Sequence, residues 1–548
     1  MPLQKNQVLT LRVERLSSDG SGVAHSPDGE TVFIPGAAPG DEARVRIVKD
    51  CKRYAFGILD EVLTPSPDRI PVDCAVAGPC GGCSLRHLDY AAELRAKQEN
   101  VADAFARIGG LDVPVLPIVG SPEVNRYRNK VQFPVGVDKS GKPCIGFYAG
   151  RTHRIVPCPD CRLQPGVLNE IGNALCAFFA EKGIQPYSEE TGRGLVRHIF
   201  LRRGAHSGQI MVCLVCTRAK LPSAEELCTR LKAQFAEITT ILLNVNAKNT
   251  NVILGTETHT LYGQGYIEDT LCGVPVQLGP LSFYQVNTLA AEQLYGIAAQ
   301  YAQLTPDDLL LDLYCGMGTI GLSMAAHCRE LIGVEIVPEA IESAKANAAR
   351  MGADVAAKSR FFCADAGQAA TRLAAEGLHP DIVMLDPPRK GCDEATLSAV
   401  VRMSPRRVVY VSCNPATAAR DAAWLEQNGY HAEKVQPVDL FPRTRHCEAV
   451  LLLTKLNVDR HIEVDVSMDE LDVTAAESKA TYNEIRDYVW EHYQLKVSNL
   501  YIAQVKQKYG IIERENYHKA KNENAKQPKC PKEKEDAIVE ALKHFQMI

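Results

Sequence analysis

The chain has 548 residues, too many for one ordinary core, so several domains are expected. Apolar content of 46% and charged content of 23% exclude a disordered or fibrous chain. The net charge of −5 excludes a globally basic protein, so any nucleic-acid surface must be local. The opening "MPLQKNQVLTLRVERL" lacks a charged head before an apolar run, and no window approaches the roughly 18 apolar residues that span a bilayer. A cytoplasmic protein without a membrane partner is expected. Its nineteen cysteines should then be mostly reduced, so clusters among them are metal, iron–sulfur or catalytic candidates.

The fold class expected is multidomain α/β. Residues 1–62 alternate apolar and polar in "QVLTLRVERL", "GVAHSPDGETVFIPG", "DEARVRIVKD" and "YAFGILDEVL", which predicts a small barrel of the oligonucleotide-binding kind. Within it, "VFIPGAAPGDEARVRI" resembles the TRAM module, an RNA-binding barrel. A proline-rich linker, Pro65 to Pro71, opens an α+β central domain over residues 63–270, with one helix predicted over 89–108. Residues 271–455 switch to β-α-β-α, a mostly parallel doubly wound sheet. Its strand candidates are "LLLDLYC", "ELIGVEI", "DIVMLDP", "RVVYVSC" and "EAVLLLTKL". Residues 456–548 are a mainly helical appendage.

"LLLDLYCGMGTIGLSMA" is a strand, a glycine turn and a helix, and Glu335 stands near the end of the next strand. This pattern suits a nucleoside cofactor: glycines admit close backbone approach, and the strand-end carboxylate suits a ribose diol. The turn alone does not separate a dinucleotide from S-adenosylmethionine. Asp386-Pro387-Pro388, at the end of the fourth strand, resembles the [DN]-P-P motif of S-adenosylmethionine-dependent methyltransferases.

Cys413 stands 27 positions later, at the carboxyl end of "RVVYVSC", where the ligand crevice of such sheets lies. A helix start follows immediately and predicts a thiolate. A thiolate suits methylation at carbon 5 of uracil, which is a poor nucleophile until a sulfur adds at carbon 6. A base must then remove the carbon-5 proton so that the cysteine can leave. Glu448, directly before an apolar strand, is the preferred base. His446 is the second candidate or an orienting group.

With "SFYQVN", "LDLYCGMG", "GVE", "LDPPRKG", "VSCNP" and "FPRTRHCE" in place, the chain resembles the bacterial RNA (uracil-5-)-methyltransferases, specifically the iron–sulfur-containing 23S ribosomal RNA branch, over roughly residues 1–455. The resemblance implies Cys413 as nucleophile and Glu448 as base. It implies that Gln285, Tyr314, Glu335 and Asp386 bind S-adenosylmethionine. Thr319 and Asp365 match weaker positions, where other side chains also occur. Cys447 stands where an aliphatic residue would be more usual.

Cys74, Cys80 and Cys83 form C-x5-C-x2-C, and Cys158 and Cys161 compete to supply a fourth ligand. The spacing suits zinc or a [4Fe–4S] cluster. The resemblance implies the cluster, with Cys161 as fourth ligand. It also sets the chain apart from the transfer-RNA branch, whose members resemble the catalytic half without these cysteines.

For RNA, "NRYRNKVQF" predicts a basic strand face from Arg126, Arg128 and Lys130, and "RGLVRHIFLRRG" adds Arg193, Arg197, Arg202 and Arg203. From Lys496 to Lys534, ten Lys or Arg stand against four Glu, with Tyr501, Tyr509 and Tyr517 between, which suggests an auxiliary RNA contact. The expectation is a monomeric enzyme acting on 23S ribosomal RNA. An amino-methyltransferase acting on adenine, and a noncatalytic RNA-binding ribosome-assembly factor, are the alternatives.

Overall fold

Period-two patterning closes the N-terminus into a barrel. In a computed structural model, which describes residues 3–456 apart from 151 and 249, together with 482–509, 530–545 and 547, five strands run in the order β1-β2-β3-β5-β4. They are β1 (Val8–Leu16), β2 (Ser21–His25), β3 (Thr31–Pro35), β4 (Glu42–Asp50) and β5 (Tyr54–Thr64). Alternate residues Leu11, Val13, Val32, Ile34, Val45 and Ile47 fill the interior. Gly57 is required there, because a Cβ would stand 2.3 Å from Val45 Cγ1. Buried Asp41 accepts the Ala38 and Ser66 N–H groups and pairs with Arg69, fastening the barrel to the segment that follows.

The helix expected over 89–108 is two pieces. Tyr90–Asp103 is α-helical, with Asp89 capping the Ala92 N–H at 2.7 Å, and Ala104–Gly109 continues in wider π-helical turns.

The next sheet holds β6 (Lys130–Val137), β7 (Pro143–Tyr148), β8 (Ile155–Pro157), β9 (Val196–Arg203), β10 (Ile210–Cys216), β11 (Ile238–Val245) and β12 (Glu257–Tyr262), in the order β12-β11-β10-β9-β6-β7-β8. Helices Gly166–Glu181 and Ala224–Gln234 carry apolar residues into the core on one face, among them Leu175, Phe179 and Leu231 against Ile199, Leu201 and Leu214. Phe200, Met211, Cys213 and Leu242 belong instead to a cluster with Leu294, Tyr295, Leu310 and Val409 of the next layer. The two sheets therefore share one core.

That layer starts with a hairpin, β13 (Ile267–Leu271) and β14 (Val274–Leu278), and helix Thr288–Ala302. Its sheet contains β15 (Leu309–Leu313), β16 (Glu330–Glu335), β17 (Ser359–Cys363), β18 (Ile382–Leu385), β19 (Arg407–Ser412), β20 (Tyr430–Val438) and β21 (Glu448–Lys455). The order is β17-β16-β15-β18-β19-β21-β20, parallel except for the β21 pairings. The five expected strands are present, and β17 and β20 extend the sheet at its two edges. Chain direction through the sheet reverses between β15 and β18, and such a switch point opens a crevice at the strand carboxyl ends.

The chain divides into two compact units, Met1–Asn457 and Val458–Ile548. Within the second, helices Tyr482–Tyr493, Asn499–Lys508 and Lys532–His544 enclose Ile485, Val489, Ile502, Val505, Ile538 and Leu542. Much of the basic Lys496–Lys534 stretch, Tyr517 included, lies outside the described residues. Among the described residues no helix is long and apolar enough to cross a membrane.

Candidate active site

The carboxyl ends of β15, β16, β18 and β19 and the start of β21 border one cleft of about 1630 Å³. Small-ligand pockets run to about 1,000 Å³, so this one has room for a cofactor and part of a second ligand. Gln285, Tyr314, Thr319, Glu335, Asp365, Asp386, Cys413 and Glu448 all line it, so the eight residues singled out from the sequence are brought together.

The β15–helix corner is built from left-handed backbone at Tyr314 (φ 68°), Gly316 (φ 55°) and Gly318 (φ 79°). Glu335 accepts the Gly316 N–H at 3.2 Å and the Val337 N–H at 3.0 Å, which fixes its carboxylate at the mouth of the turn. A Cβ on Gly321 would stand 2.8 Å from Asp312 Oδ2 and from Leu331 Cδ1. The Gly321 N–H instead donates to that oxygen at 3.0 Å. Thr319 lies 3.4 Å from the buried Tyr295 hydroxyl. Asp365 caps helix Ala366–Ala375 through the Gln368 N–H at 3.1 Å.

Gln285 is placed by the central sheet. Asn129 Nδ2 donates to its carbonyl at 2.8 Å, and buried Arg202 donates to the Gly279 and Ser282 carbonyls, 2.7 Å each, in the same loop.

Asp386, Cys413 and Glu448 sit on three adjoining strand ends. The loops after β18 and β19 are stitched together by Asn414 Nδ2 and the Thr417 hydroxyl, which donate to the Arg389 carbonyl at 2.9 and 3.3 Å. Burial pushes Asp386 up to about 7. It pushes Glu448 up to about 8, with Asp386 adding to the shift and Arg389 opposing it. Burial also raises Cys413, helped by Glu448 and Asp386 and opposed by Arg389.

The Cys413 pKa is thus raised where the helix start predicts a lowering. Two carboxyls and burial outweigh a helix end whose Ala416 N–H already bonds Asn414 and whose Pro415 has no N–H to offer. His446 lines the same cleft, and burial and neighbouring Arg389 and Arg445 lower its pKa.

The basic stretches divide differently from expectation. Arg128, Lys130, Arg389 and Arg445 line the cleft. Arg126 and Arg128 precede β6 rather than alternate along it. Arg126 is left-handed (φ 60°) and paired with Asp160 at 2.7 Å. Arg197 and Arg202 are buried structural groups, not a phosphate-tracking face. Arg197 donates to the Asn246 and Lys248 carbonyls and pairs with Glu189. The β9–β10 register shifts between His198 and Val196, so simple alternation fails there. Arg193 is exposed and Arg203 half-buried.

Cys74, Cys80, Cys83, Cys158 and Cys161 lie within electrostatic reach of one another. Cys161 is the sulfur favoured as thiolate: the Cys158 thiol and the Leu163 N–H bond to it, and Arg86 and Arg126 stabilise its charge, against burial. Arg86, beside Cys83, keeps buried Nε and Nη2 donors without a partner. A thiolate-rich, anionic group would suit those donors. As the side chains stand, no three Cys, His, Asp or Glu among the described residues converge on a metal-binding point.

Comparison with known proteins follows the same lines. A family model described as tRNA (Uracil-5-)-methyltransferase matches residues 206–456, and a TRAM domain model matches 2–59. An uncharacterized RNA methyltransferase of Halalkalibacterium halodurans is 43% identical over 457 residues, covering 83% of this chain and 99% of that one. One of Listeria monocytogenes serotype 4b is 42% identical over 455 residues, covering 82% and 98%. The crystal structure of Pyrococcus abyssi tRNA (uracil-54, C5)-methyltransferase in complex with S-adenosyl-L-homocysteine superposes with a TM-score of 0.65 at 26% identity, covering 81% of this chain and all of that one.

Proposed function

The chain belongs to the RNA (uracil-5-)-methyltransferase family, an S-adenosylmethionine-dependent group, with a TRAM barrel at its N-terminus; on that premise we propose that it methylates carbon 5 of a uridine in 23S ribosomal RNA through a covalent adduct on Cys413. The observation that carries this reading is the meeting of Cys413, Glu448 and Asp386 in one cleft beside the glycine turn.

S-adenosylmethionine, when bound, supplies an electrophilic methyl group and a positive charge. Gln285, Tyr314, Thr319, Glu335, Asp365 and Asp386 would hold it. Arg389 opposes the burial that keeps Cys413 protonated, and Cys413 sheds its proton to water as the thiolate forms. Cys413 Sγ bonds carbon 6 as the C5–C6 double bond opens to an enolate. Carbon 5 then takes the methyl as the donor's sulfur–methyl bond breaks, and the neutral thioether leaves. Glu448, as carboxylate, removes the carbon-5 proton. The S–C6 bond breaks, the thiolate is restored and Glu448 returns its proton to water. The cleft is deep, so the uridine must be splayed out of any stack to enter it.

Arg128, Lys130 and Arg445 line the approach and suit phosphate contacts. Cys74, Cys80, Cys83 and Cys161 would hold a [4Fe–4S] cluster, whose role in this reading is to brace the segment around Gly81, Gly82 and Ser84 at the cleft wall. Iron and acid-labile sulfide assayed on anaerobically purified protein should give four of each, reduced in Cys161→Ala. Zinc alone would overturn the cluster.

The test of activity is trapping with 5-fluorouridine RNA. Fluorine cannot leave as a proton does, so a carbon-5 enzyme should stall as a denaturation-resistant adduct that is absent in Cys413→Ala. Fragments of 23S RNA are compared with transfer RNA, because the Pyrococcus likeness, covering 81% of the chain, favours transfer RNA as the second reading. Adduct on transfer RNA alone would replace the ribosomal assignment. No adduct with either would remove the carbon-5 reading.

A further inference from the structure

The cleft is bounded on one side by the segment Asp439–His446, which carries the chain from β20 into Glu448 at the start of β21. That segment is irregular, and Arg443 within it is left-handed (φ 68°). Its conformation is dictated from outside the catalytic sheet. Lys97, on helix Tyr90–Asp103, is fully buried and ion-paired to Glu93 at 2.7 Å and to Asp439 at 2.8 Å.

The bonds then run toward the cleft without a break. Lys97 Nζ donates to the Phe441 carbonyl at 3.2 Å. The Thr444 hydroxyl donates to the same carbonyl at 2.8 Å. The His446 N–H donates to the Thr444 hydroxyl oxygen at 3.4 Å. Supporting bonds hold the same segment: Asp439 accepts the Phe441 N–H and the Tyr90 hydroxyl, and Glu93 accepts the Arg443 N–H at 2.7 Å. Nothing in this set reaches Cys413, whose own loop is stitched to Arg389 through Asn414 and Thr417.

We propose that Lys97 is a positioning residue for proton removal. Anchored between Glu93 and Asp439, it holds the 439–446 segment so that Glu448 meets carbon 5, and it serves the second half of the reaction rather than the attack by Cys413. This rests on the reading of Glu448 as base. Lys97 is buried and does not line the cleft, so it acts only through the segment.

The two halves of the reaction leave different signatures. A protein that attacks carbon 6 and accepts the methyl but cannot remove the carbon-5 proton keeps its S–C6 bond, and natural RNA remains attached. A merely structural defect lowers attack and release together. The measurement uses the full chain, natural-uridine RNA and S-adenosylmethionine, scoring adduct on a denaturing gel beside methyl turnover.

Lys97→Met together with Asp439→Asn keeps the charge balanced, leaving Glu93 opposite Arg443. This double variant should lose turnover roughly ten- to hundredfold, the scale of a small misplacement at a reacting centre. Its steady-state adduct should rise severalfold, and Lys97→Arg should restore part of the turnover. Glu448→Gln is the control and should also accumulate adduct. If Glu448→Gln gives none, the base assignment itself fails. If Glu448→Gln accumulates adduct while the double variant loses adduct and turnover in parallel, or changes neither, the role proposed for Lys97 is overturned. Should the double variant not fold, Thr444→Val cuts the same path at one hydroxyl and is judged by the same two readouts.

Discussion

Two buried polar clusters flank the 439–448 segment, and they are wired in opposite ways. At the junction, Glu93, Lys97, Asp439 and Arg443 balance two negative charges with two positive ones in close contacts. Burial works against the Lys97 ammonium, yet Asp439 and Glu93 outweigh it and hold its pKa above the ordinary value. Glu93 shares that ammonium with Asp439, so burial prevails there and its pKa stays raised. Asp386 and Glu448 in the cleft, and Asp312 beneath the glycine turn, are raised by burial to about 7, 8 and 8; Asp386 adds to the rise at Asp312 and Glu448, and Arg389 opposes it at Glu448. The junction is charge-balanced and closely paired, although Glu93 Oε2 and Arg443 Nε keep no hydrogen-bond partner. Neither Asp386 nor Glu448 has an ion-pair partner among the described residues, which suits the roles proposed for them beside a sulfonium and as a base.

The contrast can be broken from either side. The largest effect is expected in the cleft: Cys413→Ser should lower methyl turnover by roughly a thousandfold or more, with S-adenosylmethionine binding unchanged by calorimetry. At the junction, Lys97→Met alone strands two buried carboxylates and should cost about 3–5 kcal/mol in chemical denaturation. The charge-balanced double variant should cost visibly less, and equal losses would argue against pairing as the reason.

Glu448 gives a pH signature of the opposite sign to an ordinary salt-bridged acid. Its folded pKa of about 8 lies above the unfolded value, so the unfolded chain releases its proton first. Stability therefore falls as pH rises from about 4.5 to about 8 and levels off above that. Glu448→Gln should match the parent near pH 4.5 and exceed it by roughly 2–4 kcal/mol near pH 8.5 in melts across pH. An unchanged difference across that range would place the charge elsewhere. In the parent, kcat/KM should climb as Glu448 ionises through about 8. The smallest effect belongs to Tyr90→Phe, which removes the bond the hydroxyl donates to Asp439 and the one it accepts from the Ser121 N–H, and should cost about 1–2 kcal/mol.

The cleft was legible because its residues sit where strand direction puts them. Glu335, Asp386 and Cys413 each follow a short apolar run at a strand's carboxyl end, and a parallel sheet delivers all such ends to one side. The junction was not legible. Glu93 and Lys97 are four apart on a helix and read as an ordinary surface pair, and only the approach of Asp439, 342 positions away, buries them. Arg197 and Arg202 misled for a related reason: their partners are main-chain carbonyls in distant loops, which leave no mark in sequence. The raised pKa of Cys413 was not legible either, because helix geometry is local whereas the burial and the carboxyls that raise it come from other elements.

The apolar cluster shared by Phe200, Met211 and Leu242 of one sheet with Leu294, Tyr295 and Leu310 of the next has a mechanical consequence. The shared cluster ties the two sheets together beside the cleft, so parting them would expose apolar surface and is opposed. On the proposed reading, the rearrangement that brings a uridine to Cys413 is then asked mainly of the RNA. A uridine locked in a duplex should be a far poorer substrate than the same uridine in a loop, and strengthening the surrounding helix in a synthetic RNA should slow methylation in step with the work of freeing that one nucleotide.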